Sequence, residues 1–188
     1  MKPDLDPAAA FPSWLRAARA GDAAGFAGFY DWLGPEVKRF AVARGARDAD
    51  AVTNDAFVAA FRRLGDFDGD HRAFRAWIYA IARHRLIDAH RAEQRRPPVA
   101  DHPSGLGDER AASAEDQALA GIGDPRIQAL LGSLTDAQQE VIVLRVINGL
   151  SLQETADAVK RPVSAVKRLQ ARGLGQLRRT ISDEGVSS

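Results

Sequence analysis

The chain has 188 residues, 26 Lys+Arg against 25 Asp+Glu, four His, no Cys and 45% hydrophobic residues. That length suits one domain or two small ones, and the missing cysteine excludes a disulfide framework, cysteine-ligated zinc and thiol redox chemistry. No apolar run reaches the roughly 18 residues of a membrane span, and the first thirty residues lack a signal-peptide pattern, so a soluble, cytoplasmic chain is expected. A net charge of +1 argues by itself against nucleic-acid binding.

The charge, however, is blocked along the chain. Residues 1–96 carry net +3, 97–124 net −5 and 125–188 net +3. The N-terminal part is rich in Ala, Arg and Leu, with expected breaks at Gly21-Asp22, Gly34-Pro35, Gly45 and Gly65 through Gly69. From Ala51 to Leu64 the apolar residues Val52, Ala56, Phe57, Ala60, Phe61 and Leu64 form a helical stripe. The opposite face carries Ala51, Asn54, Asp55, Val58 and Arg62. The surrounding stretch 48–70 holds six Asp against Arg62 and Arg63.

The next stretch, 71–96, reverses sign, with seven Arg against Asp88 and Glu93. Phe74, Trp77, Ile78 and Ile81 lie at i, i+3, i+4 and i+7, which favours the core for both rings over stacking on unpaired bases. The later polar residues His84, Arg85, Asp88, Arg91, Arg95 and Arg96 are better placed to meet DNA. Pro97-Pro98 ends this helix. Residues 97–124 then combine four Gly and two Ser with few large apolar residues, a pattern expected of a flexible acidic linker.

Three helices are expected after it. Thr135-Asp136-Ala137-Gln138 and Ser151-Leu152-Gln153-Glu154 read as capping boxes, with Gly149 as a left-handed stop between them. The second box opens a short helix through Val159, Lys160-Arg161-Pro162 makes a turn, and Val163–Arg179 forms a longer helix. This is a helix-turn-helix, whose second helix needs an apolar back and a polar front. Val166, Leu169, Leu174 and Leu177 supply the back; Ser164, Lys167, Arg168, Gln170 and Arg172 face outward as DNA-contacting candidates. Stretch 160–179 has seven basic residues and no acid. A solvated basic face is the plainer reading, and the capping together with the acid-free front favours DNA. Gly173 points to close approach to the preceding helix. No nucleophile–base pair, phosphate-binding loop or metal-ligand spacing occurs, so neither an enzyme nor a cofactor is expected.

Four stretches, taken together, resemble the extracytoplasmic-function sigma factors of bacterial RNA polymerase. They are Arg19 through Phe26 and Tyr30; Asp50 through Phe57 and Phe61; Phe74-Arg75-Ala76-Trp77-Ile78-Tyr79 through Asp88 and Arg91; and Leu150-Ser151 through Arg172. The resemblance implies an all-α protein of two small helical domains: a sigma-two-like bundle (1–96) and a sigma-four-like helix-turn-helix (125–188), joined by the linker. It implies core-polymerase binding at the clamp through Asp50, Ala51, Asn54, Asp55 and Val58, with a further flap contact. Minus-ten strand capture falls to the basic helix, and minus-thirty-five reading to the helix-turn-helix. It also implies an anti-sigma factor as regulator. Ala51 stands where an acid is usual, Asn54 where Gln is usual, and His84 where Asn is common. A stand-alone helix-turn-helix regulator that binds duplex DNA without polymerase is the alternative, with a polymerase-binding decoy as a third reading.

Overall fold

Short polar side chains open the helices. The computed structural model describes residues 6–95, 119 and 121–186. In it, Asp6, Asp22 and Asp48 cap α1 (Pro7–Arg19), α2 (Ala23–Ala43) and α3 (Ala49–Arg62), each carboxylate accepting an amide of the first turn at 2.8–2.9 Å. Asp70 does the same for α4 (His71–Arg95), accepting from Ala73 N at 2.9 Å. That amide holds the Asp70 carboxyl below its usual value. A carboxylate at a helix N-terminus is favoured because it satisfies a free N–H and faces the positive end of the helix dipole.

These helices enclose an aromatic core. Phe29 stacks on Phe74 at 4.3 Å, and Phe11 meets both rings edgewise or tilted. Phe67, which follows the 3-10 turn Leu64–Asp66, packs against both Phe74 and Trp77. Phe74 is fully buried and Trp77 half-buried, so both rings serve the core as their spacing predicts. The Arg19 guanidinium ties the end of α1 to the Phe67 carbonyl.

The expected break at Gly34-Pro35 does not occur: α2 runs through Pro35 without interruption. Two features permit this. Gly34 has no Cβ to clash with the proline ring. Beyond it, Val37, Phe40 and Ala41 are completely buried, so continuing the helix secures packing that outweighs one lost hydrogen bond.

The second half begins one helix earlier than expected, with α5 (Pro125–Gly132), which Asp124 caps. Both capping boxes then form as read: Thr135 with Gln138 opens α6 (Asp136–Ile142), and Ser151 with Glu154 opens α7 (Leu152–Val159). Between them α6 widens into one π turn over Val143–Ile147, closed by Asn148 N to Val143 O at 3.0 Å. Gly149 follows at φ +66°, the left-handed stop the sequence suggests. Lys160, at φ +53°, makes the tight turn into α8 (Val163–Val186). A Cβ on Gly173 would lie 2.9 Å from Ile142 Cγ1. The close approach is therefore real, but the partner is α6 and not the immediately preceding α7. Nothing in the structure explains Gly175.

The two halves touch. Helix α4 packs along α7, and the π turn rests on α2, so the buried apolar residues of both halves form one cluster. Arg96, Pro97-Pro98 and most of the expected linker lie outside the described residues; at its far end Ile122 packs against the core.

Candidate polymerase and promoter interfaces

Helix α3 presents a complete face to solvent. Asp50, Ala51, Asn54, Asp55 and Val58 are all exposed, while Val52, Ala56, Phe57 and Ala60 are buried behind them. The i, i+3, i+4, i+7 spacing of 51, 54, 55 and 58 produces this division. Two details were not legible in the sequence. Asp50 pairs with Lys38 of α2 at 2.8 Å, and Tyr30 donates its hydroxyl to Asn54 Oδ1 at 3.0 Å. Tyr30 and Val58 are large apolar residues left exposed, at 40% and 48%, and they flank the same surface. An aromatic ring with a polar tip is a common anchor in protein interfaces. The acidity of 48–70 is also partly structural, since Asp48 and Asp70 are caps.

Along α4, His84, Arg85, Asp88, Arg91 and Arg95 are exposed. His84 Nδ1 lies 2.6 Å from the Ala80 carbonyl oxygen. A carbonyl oxygen only accepts, so Nδ1 carries a proton in this contact. Arg95 Nε is turned back onto the Arg91 carbonyl at 3.1 Å. Arg85 and Asp88 share a groove of about 300 Å³ with Asp55 of α3 and its cap Asp48, so the acidic and basic faces meet along one edge. Tyr79, in contrast, is 1% exposed and takes no part in this surface.

In the helix-turn-helix, Val166 is fully buried and Leu169, Leu174 and Leu177 pack behind it, as the apolar back requires. Ser164, Lys167, Arg168 and Arg172 are exposed on the front. Gln170 departs from the expected front: it is half-buried, and its Oε1 accepts from Arg145 Nε at 3.2 Å. Arg145, in the π turn, also donates to the Leu150 carbonyl. One guanidinium thereby fixes α8 against the stop at Gly149. The wider π turn is the local feature that sequence periodicity does not reveal.

Among the described residues no group of His, Asp and Glu could hold a metal ion, and no helix is long and apolar enough to cross a membrane.

Comparison with known proteins identifies two regions of this chain. Residues 29–96 match Sigma-70 region 2 and residues 130–179 match Sigma-70, region 4. The chain is 32% identical over 172 residues to the ECF RNA polymerase sigma factor BldN of Streptomyces coelicolor, covering 90% of this chain and 65% of BldN. It is 34% identical over 146 residues to the ECF RNA polymerase sigma factor SigD of Mycobacterium tuberculosis, covering 77% and 68%. The chain thus spans about two thirds of the length of these relatives. Its fold superposes on CnrH in complex with the cytosolic domain of CnrY, with a TM-score of 0.68 and 28% identity, covering 90% of this chain and 96% of CnrH. The curated CnrH comes from Cupriavidus metallidurans. The sigma factor RpoE of Bartonella quintana, solved with the anti-sigma factor NepR, shares the fold at a TM-score of 0.61 and 20% identity, covering 84% of this chain and 96% of RpoE. With both regions present in order and relatives at this identity, the chain belongs to the extracytoplasmic-function sigma factors of the sigma-70 family.

Proposed function

We propose that this chain directs bacterial RNA polymerase core to promoters. In this reading it supplies promoter choice and holds the melted strand, and the polymerase supplies the chemistry. The observation that carries the reading is the pairing of two unlike surfaces on adjacent helices of one domain. An acidic and apolar α3 face suits a protein partner, and a basic α4 face suits a single strand. Asp50, Ala51, Asn54, Asp55 and Val58 then meet the clamp, with Tyr30 added beside Asn54. His84, Arg85, Asp88, Arg91, Arg95 and Arg96 follow the minus-ten strand. Ser164, Lys167, Arg168 and Arg172 enter the major groove at minus-thirty-five, while Gln170 acts through Arg145 by orienting α8. A stand-alone duplex-binding regulator leaves α3 and α4 without a role. As CnrH and RpoE were solved with CnrY and NepR, an anti-sigma factor is the expected regulator of this chain too. Such work is cytoplasmic.

The test is charge reversal at Arg85 and Arg91. Arg85→Glu with Arg91→Glu abolishes promoter-specific run-off transcription yet leaves affinity for core polymerase within about twofold, since the α3 face is untouched. Equal loss of both activities overturns the division of labour between α3 and α4.

A further inference from the structure

Serine and threonine hydroxyls in helical proteins usually bond to the backbone of a neighbouring turn. This chain follows that rule with one exception. Ser13, Ser133, Thr180 and Ser182 donate to the carbonyls of Ala10, Leu130, Gln176 and Arg178, and Thr53 donates to that of Ala49. Thr135 and Ser151 cap α6 and α7, and Thr155 is completely buried. Among the described residues, Ser164 alone combines an exposed side chain with a hydroxyl that has no hydrogen-bond partner.

Ser164 is the second residue of α8 and stands on its front. Lys160 and Arg161 precede it by four and three positions in the turn, and Lys167 and Arg168 follow it by three and four on the same helix face. All four are exposed, as is Pro162, so the segment leading to Ser164 is open to the active site of a second protein. An accessible serine preceded closely by cationic side chains is what an arginine-directed protein kinase selects, because carboxylates in its peptide groove pair with those cations.

Two other serines follow an arginine by three positions. Ser182 follows Arg179, but its hydroxyl is committed to the Arg178 carbonyl, Asp183 and Glu184 come directly after it, and it lies about 27 Å along α8 from Ser164. Ser113 follows Arg110 in the acidic stretch and lies outside the described residues.

We propose that Ser164 is a phosphorylation site at which an arginine-directed serine kinase switches off minus-thirty-five reading. This rests on the assignment of α8 to the major groove. In the transfer, Ser164 Oγ bonds to the γ-phosphorus of ATP as the bond from that phosphorus to the β,γ-bridging oxygen breaks. ADP leaves, and the hydroxyl proton passes to the catalytic carboxylate of the kinase.

Electrostatics sets the direction of the effect. A phosphate adds about −1.5 to −2 charges at pH 7 to stretch 160–179, which otherwise has seven basic residues and no acid. The fold accommodates that charge, since it sits at the positive end of the α8 dipole with Lys167 and Arg168 one turn on. The cost falls on DNA: the phosphate occupies cations that would neutralise the duplex backbone. Losing about two such contacts lowers the slope of log affinity against log salt by about 1.8, a loss of about thirtyfold at 0.15 M salt that fades toward 1 M.

The experiment treats the full chain and Ser164→Ala with ATP and the catalytic domain of an arginine-directed serine kinase, and locates phosphate by tandem mass spectrometry. Phosphate is expected on Ser164; its absence there overturns the site, whether or not Ser113 or Ser182 is modified. Fluorescence anisotropy then reads affinity for a minus-thirty-five duplex cut from a promoter that the chain activates with core polymerase. Treatment should weaken the parent by about thirtyfold at 0.15 M salt and leave Ser164→Ala at its own untreated value. An equal loss in both, or full binding by the chain phosphorylated at Ser164, overturns the switch. Ser164→Asp and Ser164→Asn separate charge from bulk: the Asp variant should bind more weakly, by a factor that grows as salt falls, and equal affinities overturn the electrostatic account. Urea denaturation keeps unfolding apart, since the phosphorylated chain should be at least as stable as the parent. A chain that activates no promoter with core polymerase fails the sigma-factor reading, and this proposal with it.

Discussion

Two glycines in one helix provide a controlled test of how the recognition helix is seated. A Cβ at position 173 would sit 2.9 Å from Ile142 Cγ1, 3.3 Å from Ile142 Cδ1 and 3.5 Å from Gln138 Cβ. Carbon atoms pack comfortably at about 3.5–4.0 Å, so α8 must move away from α6 by several tenths of an ångström. Ile142 is 2% exposed and has little room to yield. Forcing a methyl into such a site costs about 1–3 kcal/mol, against about 1 kcal/mol regained from replacing glycine in a helix interior. Position 175 has space, with only Arg179 Nη1 at 3.9 Å. Gly175→Ala should therefore stabilise by about 1 kcal/mol, while Gly173→Ala is neutral or destabilising by up to about 2 kcal/mol. The helix-propensity gain cancels in the difference, leaving the cost of crowding Ile142. Urea denaturation of both variants measures it. Equal stabilisation by the two alanines would refute the close α6–α8 seating, and with it the account of how α8 is aimed.

Three further outcomes are expected. Ser151→Ala removes the side-chain cap of α7 and costs about 1 kcal/mol in the same urea assay, since the Glu154 amide loses its acceptor. Lys167→Ala and Arg172→Ala each flatten the dependence of log affinity on log salt for a minus-thirty-five duplex by about 1 if they neutralise phosphates; an unaltered slope removes them from the contact surface. For Glu154, burial favours the neutral acid, but hydrogen bonds from Ser151 and the charge of Arg75 prevail and hold its pKa below the usual value. A depressed carboxyl contributes stability above its unfolded value of about 4.3, and that contribution is lost as pH falls through the folded one. Glu154→Gln should accordingly flatten the acid limb of the stability profile below about pH 4.5 and leave its shape near pH 7 unaltered.

What was legible in the chain follows the range of the interactions involved. Capping boxes act over three residues, so Thr135–Gln138 and Ser151–Glu154 could be read directly. The α3 face could be read because helical period alone divides 51, 54, 55 and 58 from 52, 56, 57 and 60. Gly34-Pro35 misled because a local breaker was overridden by complete burial of Val37 and Phe40, which no local pattern reports. Helix α5 was missed although Asp124-Pro125 is a cap followed by a first-turn proline, a signal that its acidic, glycine-containing surroundings obscured. The inward turn of Gln170 depends on Arg145, 25 positions away. The contact between the halves was beyond reach for the same reason: Arg75, Glu36 and Asn148 are separated by 39 to 112 positions, and only the packing of α4 and of the π turn on α2 brings them together.

The central claim, promoter choice through polymerase, is tested most directly by sequencing the transcripts that core enzyme makes from a genomic promoter pool with and without this chain. The account predicts a discrete set of new start sites that appears only when both proteins are present. These sites should share two upstream elements at fixed spacing. A start-site distribution that this chain leaves unchanged would contradict it.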